Sequence, residues 1–200
     1  ITISSTIGED MEIVVRLHSY MRKNKRKYKV IFCEDAVCWT QGPMKLKDIR
    51  GQRRRWQIGL LDTLISHKNL LLNPRYGAVG LVAVPYNWIF ELFGAVIEVL
   101  GYFIIPFSLI MGELNIFFFV IYFLLATLLG IMLSIGSLIL EQYTKKSAMT
   151  AKQYILISVY AVLENFGYRQ LITIFRVEGI IKYRKLRQTW GKIERKEFEQ

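Results

Sequence analysis

Ile116-Phe-Phe-Phe-Val-Ile-Tyr-Phe-Leu-Leu-Ala-Thr-Leu-Leu-Gly-Ile-Met-Leu-Ser-Ile-Gly-Ser-Leu-Ile-Leu140 contains no charged residue. A bilayer core of about 30 Å is crossed by about 20 apolar residues in a helix, so this stretch is long enough to span it. Upstream, residues 79–112 are also apolar but are interrupted by Pro85, Glu91, Glu98 and Pro106. That pattern predicts an interfacial piece near Tyr86-Asn87-Trp88 leading into a second span. Residues 154–181 are apolar again and broken by Glu164, Asn165, Gly167 and Arg169.

Charge is segregated from this apolar middle. The 200 residues are 52% hydrophobic, yet the net charge is +11. No Lys or Arg occurs from 77 to 140, while residues 16–68 and 176–196 hold most of them. Basic flanks around apolar spans place those flanks on the cytoplasmic side. They also make anionic lipid headgroups and phosphates the expected partners, rather than nucleic acid. The short loop 112–115 lacks Lys and Arg, whereas loop 141–153 carries Lys145, Lys146 and Lys152. The two spans and the basic tail agree only if 154–181 does not cross, as in a re-entrant or interfacial hairpin turning at Glu164–Tyr168.

The N-terminal part reads differently. Residues 1–7 are short and β-branched and predict a strand, with a turn at Gly8. Ile13, Val14, Leu17, Tyr20 and Met21 then recur at helical spacing over about 9–24, with Thr6 and Glu9 in the form of a capping box. Residues 28–39 predict extended structure ended by Gly42-Pro43. A second helix is expected over about 47–67. Its apolar stripe is Ile49, Trp56, Leu60 and Leu64, and Lys47, Arg50 and Arg54 on its other face suit a membrane surface. Cys33 and Cys38 fall on opposite faces of the expected strand, which argues against a disulfide, and no nearby His makes them a zinc site.

Two motifs carry chemistry. Gly8-Glu9-Asp10 puts carboxylates at a strand–helix junction, where the helix dipole favours negative charge. Such a group can serve as a general base, although acidic residues at helix starts are also ordinary caps. In Gln52-Arg53-Arg54-Arg55-Trp56, the helix places Gln52 and Trp56 on one face with Arg55 adjacent. An indole stacks on the apolar face of a sugar, an amide bonds hydroxyls, and an Arg fork matches phosphate oxygens. A basic membrane-surface helix anchored by a Trp has the same composition.

In this order the two motifs, followed by membrane segments, resemble the membrane-integrated family 2 glycosyltransferases, such as cellulose, hyaluronan, chitin and poly-N-acetylglucosamine synthases. The resemblance spans essentially the whole chain. Where many such synthases have Thr-Glu-Asp, this sequence has Gly8-Glu9-Asp10. The resemblance implies an α-helical membrane region (76–181) preceded by the C-terminal part of an α/β glycosyltransferase type-A domain (1–75) and followed by a basic cytoplasmic tail (182–200). It implies Asp10 as catalytic base, with Gln52, Arg55, Trp56, Glu9 and Arg53 lining the acceptor and substrate site. It also implies a nucleotide-sugar donor, a growing polysaccharide or glycolipid acceptor, and residence in the plasma (inner) membrane. A divalent metal, Mg or Mn, is implied as well. The aspartates Asp10, Asp35, Asp48 and Asp62 form no Asp-x-Asp pair, so the metal and nucleotide sites are expected on an upstream segment, and this piece alone is expected to be inactive. Single addition to a lipid acceptor, and a non-enzymatic membrane subunit, are the competing readings.

The basic tail carries a prediction. A cysteine placed after Gln200 should resist membrane-impermeant thiol reagents in intact cells and react after lysis. Labelling of intact cells would show that residues 154–181 cross the membrane.

Overall fold

The structure is a computed structural model that describes residues 7–31, 33, 36, 38, 40–145 and 150–187. Its elements are α1 (Glu9–Lys23), α2 (Leu46–Ser66), α3 (Val79–Ile110), α4 (Ile116–Lys145), α5 (Ala151–Leu163), α6 (Tyr168–Ile181) and α7 (Tyr183–Leu186). Single 3₁₀ turns at Lys68–Leu70 and Pro74–Tyr76 link α2 to α3.

This corrects the expected fold class. The regular structure among the described residues is all helical, with no strand, so the α/β type-A portion is not seen. The described members of 28–39 form neither helix nor strand, and both Cys33 and Cys38 are free and exposed. A β-branched run favours an extended backbone, but its N–H and C=O groups form a strand only against a neighbouring edge. No such edge occurs among the described residues. The strand expected over 1–7, apart from Ile7, lies outside the described residues, as do Thr6 of the expected capping box and Trp190-Gly191.

The chain forms two compact units. The first takes the described residues up to Ile31, those from Cys38 to Val99 and those from Ile172 onward; the second takes Leu100–Leu171 with part of the 32–37 segment. The core of the first unit is Leu64, Leu70, Tyr76, Val84 and Leu92, flanked by Val15, Leu60, Trp88 and Ile180. A close backbone approach lies between α1 and α2. A Cβ built on Gly8 would stand 2.8 Å from the Cα of Gly59, and one on Gly59 equally close to Gly8. On another side of α2, a Cβ on Gly179 of α6 would stand 2.9 Å from the Arg54 carbonyl oxygen.

These approaches set the rotation of α1. The stripe expected to be buried is exposed at Ile13, Val14, Leu17 and Tyr20. Glu12 is buried instead, and its carboxylate pairs with His67 Nε2 at 3.0 Å and Arg16 Nη2 at 3.0 Å. In α2, Leu64 is buried as expected and Trp56 is 47% exposed. Arg50 and Arg54, expected on a membrane surface, both donate to Glu178 of α6, at 2.7 Å and 3.2 Å.

The helix α3 is wound unevenly, with π-helical stretches at Val79–Ala83 and Asn87–Phe93 on either side of Val84–Tyr86. Pro85 at the centre lacks an N–H, and its ring needs room beside the preceding turn, which a wider turn supplies. Asn87 Nδ2 donates to the Ala83 carbonyl at 2.8 Å.

Both α3 (32 residues) and the 25-residue stretch Ile116–Leu140 of α4 are long and apolar enough to cross a membrane. Their large side chains, including Phe103, Phe107, Leu124 and Leu133, are mostly exposed. In the second unit α4 packs on α5, and Ser134 Oγ donates to Glu164 Oε1 at 2.7 Å. The break expected near Glu164–Tyr168 separates α5 from α6, and Gly167 has φ +92° there.

Gly59→Val should destabilise the protein by about 1–3 kcal/mol, because a backbone contact cannot yield to a new side chain as a flexible one would. Gly51→Ala, in the same helix with nothing within 4 Å of its added Cβ, should stabilise it by about 0.5–1 kcal/mol. Thermal unfolding of the detergent-solubilised protein measures both.

Candidate active site

Within the first unit a cavity of about 580 Å³ is walled by α1, α2, α3 and α6. From α1 come Asp10 and Met11, and from α2 come Arg53, Trp56, Gln57 and Leu60. From α3 come Tyr86, Asn87 and Glu91, and from α6 come Ile172 and Arg176. The close approach at Gly59 brings the first turn of α1 beside the turn of α2 that carries Trp56.

Asp10 is exposed, and its Oδ1 accepts from the Met11 N–H at 2.9 Å. With Glu9 and Glu12 it places three acidic residues in the first turn of α1, where the exposed N–H groups favour negative charge. Trp56 presents its ring with the Arg53 guanidinium over it, 4.7 Å from the ring centroid. Arg53 Nε is buried without a partner among the described residues.

The structure thus brings together Asp10, Arg53 and Trp56 of the residues singled out in the sequence. Gln52 and Arg55 are partly buried on α2 and Glu9 is exposed on α1; none of the three lines this cavity.

Sequence reasoning marked Glu91, with Glu98 and Glu164, as a charged candidate for contact with a glycan or for ordinary interfacial solvation, but missed Gln57 and Arg176, which form another part of the wall with it. Gln57, one position past the motif, is buried. Its Oε1 accepts from Arg176 Nε at 3.0 Å, and its Nε2 donates to the Glu91 carbonyl at 3.4 Å. Arg176 Nη2 donates to the same carbonyl at 2.5 Å and to Glu91 Oε2 at 3.1 Å. The available signal was charge within apolar sequence, since Glu91 and Arg176 each interrupt a run where an ionised group is costly.

A second cavity of about 450 Å³ shares Asp10, Met11, Leu60 and Asn87 with the first. It is otherwise mostly apolar, with Val14, Val15, Leu64, Val79 and Val84, although His18, Thr63 and His67 also reach it. His18 Nδ1 lies 2.5 Å from the Tyr28 hydroxyl. Burial first, and then the charge of Arg22, lower the His18 pKa from its ordinary value.

The position of α6 rests on charge. Glu178 accepts from Arg50, Arg54 and Lys182, and its pKa is lowered to about 2, chiefly by the Arg50 hydrogen bond. Asp62 of α2 is buried and accepts from the Tyr183 hydroxyl at 2.6 Å. Burial, with this bond, pushes the Tyr183 pKa up to about 12.

Among the described residues no group of three or more His, Cys, Asp or Glu is arranged to hold a metal ion. They therefore provide no cage for the divalent cation that the resemblance implies.

The family model for glycosyl transferase family group 2 matches residues 1–136. That stretch includes α1, α2, α3 and most of α4, and ends before α6, which supplies Arg176. No curated protein and no solved structure matches the chain significantly.

The Glu178 cluster makes stability depend on pH. Its folded pKa is depressed, so its contribution is present above about 4.5 and lost as the pH falls toward 2. Glu178→Gln should lower the melting temperature at pH 6, and the gap from wild type should narrow as the pH falls through that window. Melting curves from pH 6 to pH 3 test this.

Proposed function

We infer the function from one premise: the chain belongs to glycosyl transferase family group 2. Membership supports transfer of a glycosyl group from a donor to an acceptor. It favours a transferase over a non-catalytic membrane subunit.

The proposed reaction is a single displacement at the anomeric carbon of a nucleotide sugar. An acceptor hydroxyl oxygen bonds to that carbon, and the bond from carbon to the diphosphate breaks. The electron pair leaves with the diphosphate, and the hydroxyl proton passes to an Asp10 oxygen. Attack from the face opposite the leaving group inverts the anomeric configuration.

One observation carries this reading: a single cavity is lined by both Asp10 and Trp56, contributed by the successive helices α1 and α2. The indole gives a sugar a stacking surface, and Arg53 adds positive charge beside it. Gln52 and Arg55 are assigned, by resemblance, to the acceptor and the diphosphate on the same helix. The divalent metal takes no part in this account.

The acceptor in this reading is a growing polysaccharide at the membrane. The spans α3 and α4 hold the site at the cytoplasmic face of the plasma membrane, with 1–75 as the catalytic portion and 182–200 as a cytoplasmic tail. A second reading, single addition to a lipid acceptor, draws support from the apolar cavity that adjoins Asp10. Product length separates the two, since a processive enzyme makes long chains and the other adds one sugar.

Asp10→Asn in the full-length protein should lower transfer by about 10²–10⁴-fold, the usual loss when a general base is removed. Nucleotide-sugar affinity should change little, because the amide is nearly the same shape. Nucleoside diphosphate release gives the rate and isothermal titration gives the affinity. Activity within a few-fold of wild type would return Asp10 to a capping role.

A further inference from the structure

We propose that Glu91 and Arg176, with Tyr86, form a second acceptor subsite that binds the pyranose next to the one being extended. The proposal rests on the acceptor reading above and adds to it the length of acceptor that the cavity recognises.

Glu91 lies inside α3, a helix apolar enough to cross a membrane, and Arg176 lies in the apolar part of α6. Charged groups in such segments are expensive and are retained where they pair or bind something. These two do pair, but neither is spent by the pairing. The Glu91 side chain is 46% exposed and uses only Oε2 toward Arg176, while the Arg176 side chain is 26% exposed. Both line the cavity that holds Asp10 and Trp56.

The backbone is adapted to this arrangement. Glu91 sits in the π-helical stretch Asn87–Phe93, and its carbonyl accepts from two side chains, Arg176 and Gln57. π-helical insertions of this kind occur often at functional sites. Arg176 thereby ties Gln57, the neighbour of Trp56, to the carboxylate on α3.

The chemistry of the group suits a sugar. A carboxylate accepts from two hydroxyls, and a guanidinium donates to hydroxyl or ring oxygens. The Tyr86 ring, 51% exposed and packed on Phe90 at 5.1 Å between centroids, offers an apolar face. A cavity of about 580 Å³ falls in the range of about 300–1,000 Å³ that takes drug-sized ligands, larger than a single pyranose. Asp10 and Trp56 serve the sugar that reacts, which leaves the remaining wall for its neighbour.

An ion pair that merely fastened α6 to α3 would predict something different. Its loss would lower activity on every acceptor together, and would lower stability. A subsite predicts that its loss affects only the acceptor long enough to reach it.

The test uses full-length enzyme and matched soluble acceptors: methyl glucoside against methyl cellobioside, and N-acetylglucosamine against chitobiose. Wild type should prefer the disaccharide of at least one pair by about 10- to 100-fold in kcat/KM, the range expected for hydrogen bonds to charged groups. Glu91→Gln, Arg176→Lys and Tyr86→Ala should each reduce that preference to within about three-fold by raising the disaccharide KM. The nucleotide-sugar KM should stay near wild type, and the loss on the monosaccharide should be at least about ten-fold smaller than the loss on the disaccharide. Tyr86→Ala, which removes no hydrogen bond to Gln57, should show this split without a change in melting temperature. Equal use of mono- and disaccharide by wild type, or use of neither, overturns the proposal. So does an equal loss on both acceptors in the three variants. Failure of the Asp10 reading shows separately, as retained transfer by Asp10→Asn with the length preference intact.

Discussion

The contact between Gly8 and Gly59 constrains much of the first unit. With 2.8 Å between a Cβ placed on either residue and the Cα of the other, the backbones of α1 and α2 touch where any larger residue would hold them apart. That contact places the first turn of α1, with Asp10, next to the α2 turn that bears Trp56. It also gives a physical reason for a glycine at the start of the acidic motif. Rotated about this point, α1 turns Glu12 inward to His67 and leaves its apolar stripe exposed.

The helix α2 is engaged on more than one side. Gly179 allows α6 to approach the Arg54 carbonyl, and Glu178 one position earlier gathers Arg50, Arg54 and Lys182. Isolated surface ion pairs contribute little, commonly under about 1 kcal/mol. A carboxylate held by three cations and largely shielded from water is a different case, and its pKa near 2 reflects this. Asp62 with Tyr183 extends the same tie toward α7. The consequence for function is indirect: these contacts hold Arg176 where it can reach Gln57 and Glu91.

The long helices obey a simpler rule. Their backbone groups are satisfied internally, so an apolar surface can face an apolar medium without exposing unpaired N–H or C=O groups. Pro85 interrupts that economy near the start of α3, and the preceding turn widens to a π turn rather than breaking; a second π stretch follows at Asn87–Phe93. The carbonyl of Glu91, inside one of those turns, is where the helix and the cavity meet.

The helices with strong periodicity and the two apolar stretches were legible from local pattern, because 3.6-residue spacing and length are local properties. The ends of α1 and α2 fall within a residue or so of where the pattern places them. The motifs Gly8-Glu9-Asp10 and Gln52 to Trp56 were legible as residue types suited to sugar chemistry. The expected strands were not confirmed, because β-branched composition states only what a backbone tolerates, while a strand needs a partner edge that local sequence does not specify. Tertiary structure alone decided that Arg53 and Trp56, rather than Gln52 and Arg55, line the cavity with Asp10, and that Arg50 and Arg54 hold Glu178. It also decided that Arg176 reaches Glu91 across 85 positions of chain. A helix pattern shows which residues share a face, but the face that meets a neighbour is chosen by where two backbones come closest, and that depends on glycines whose partners lie far along the chain.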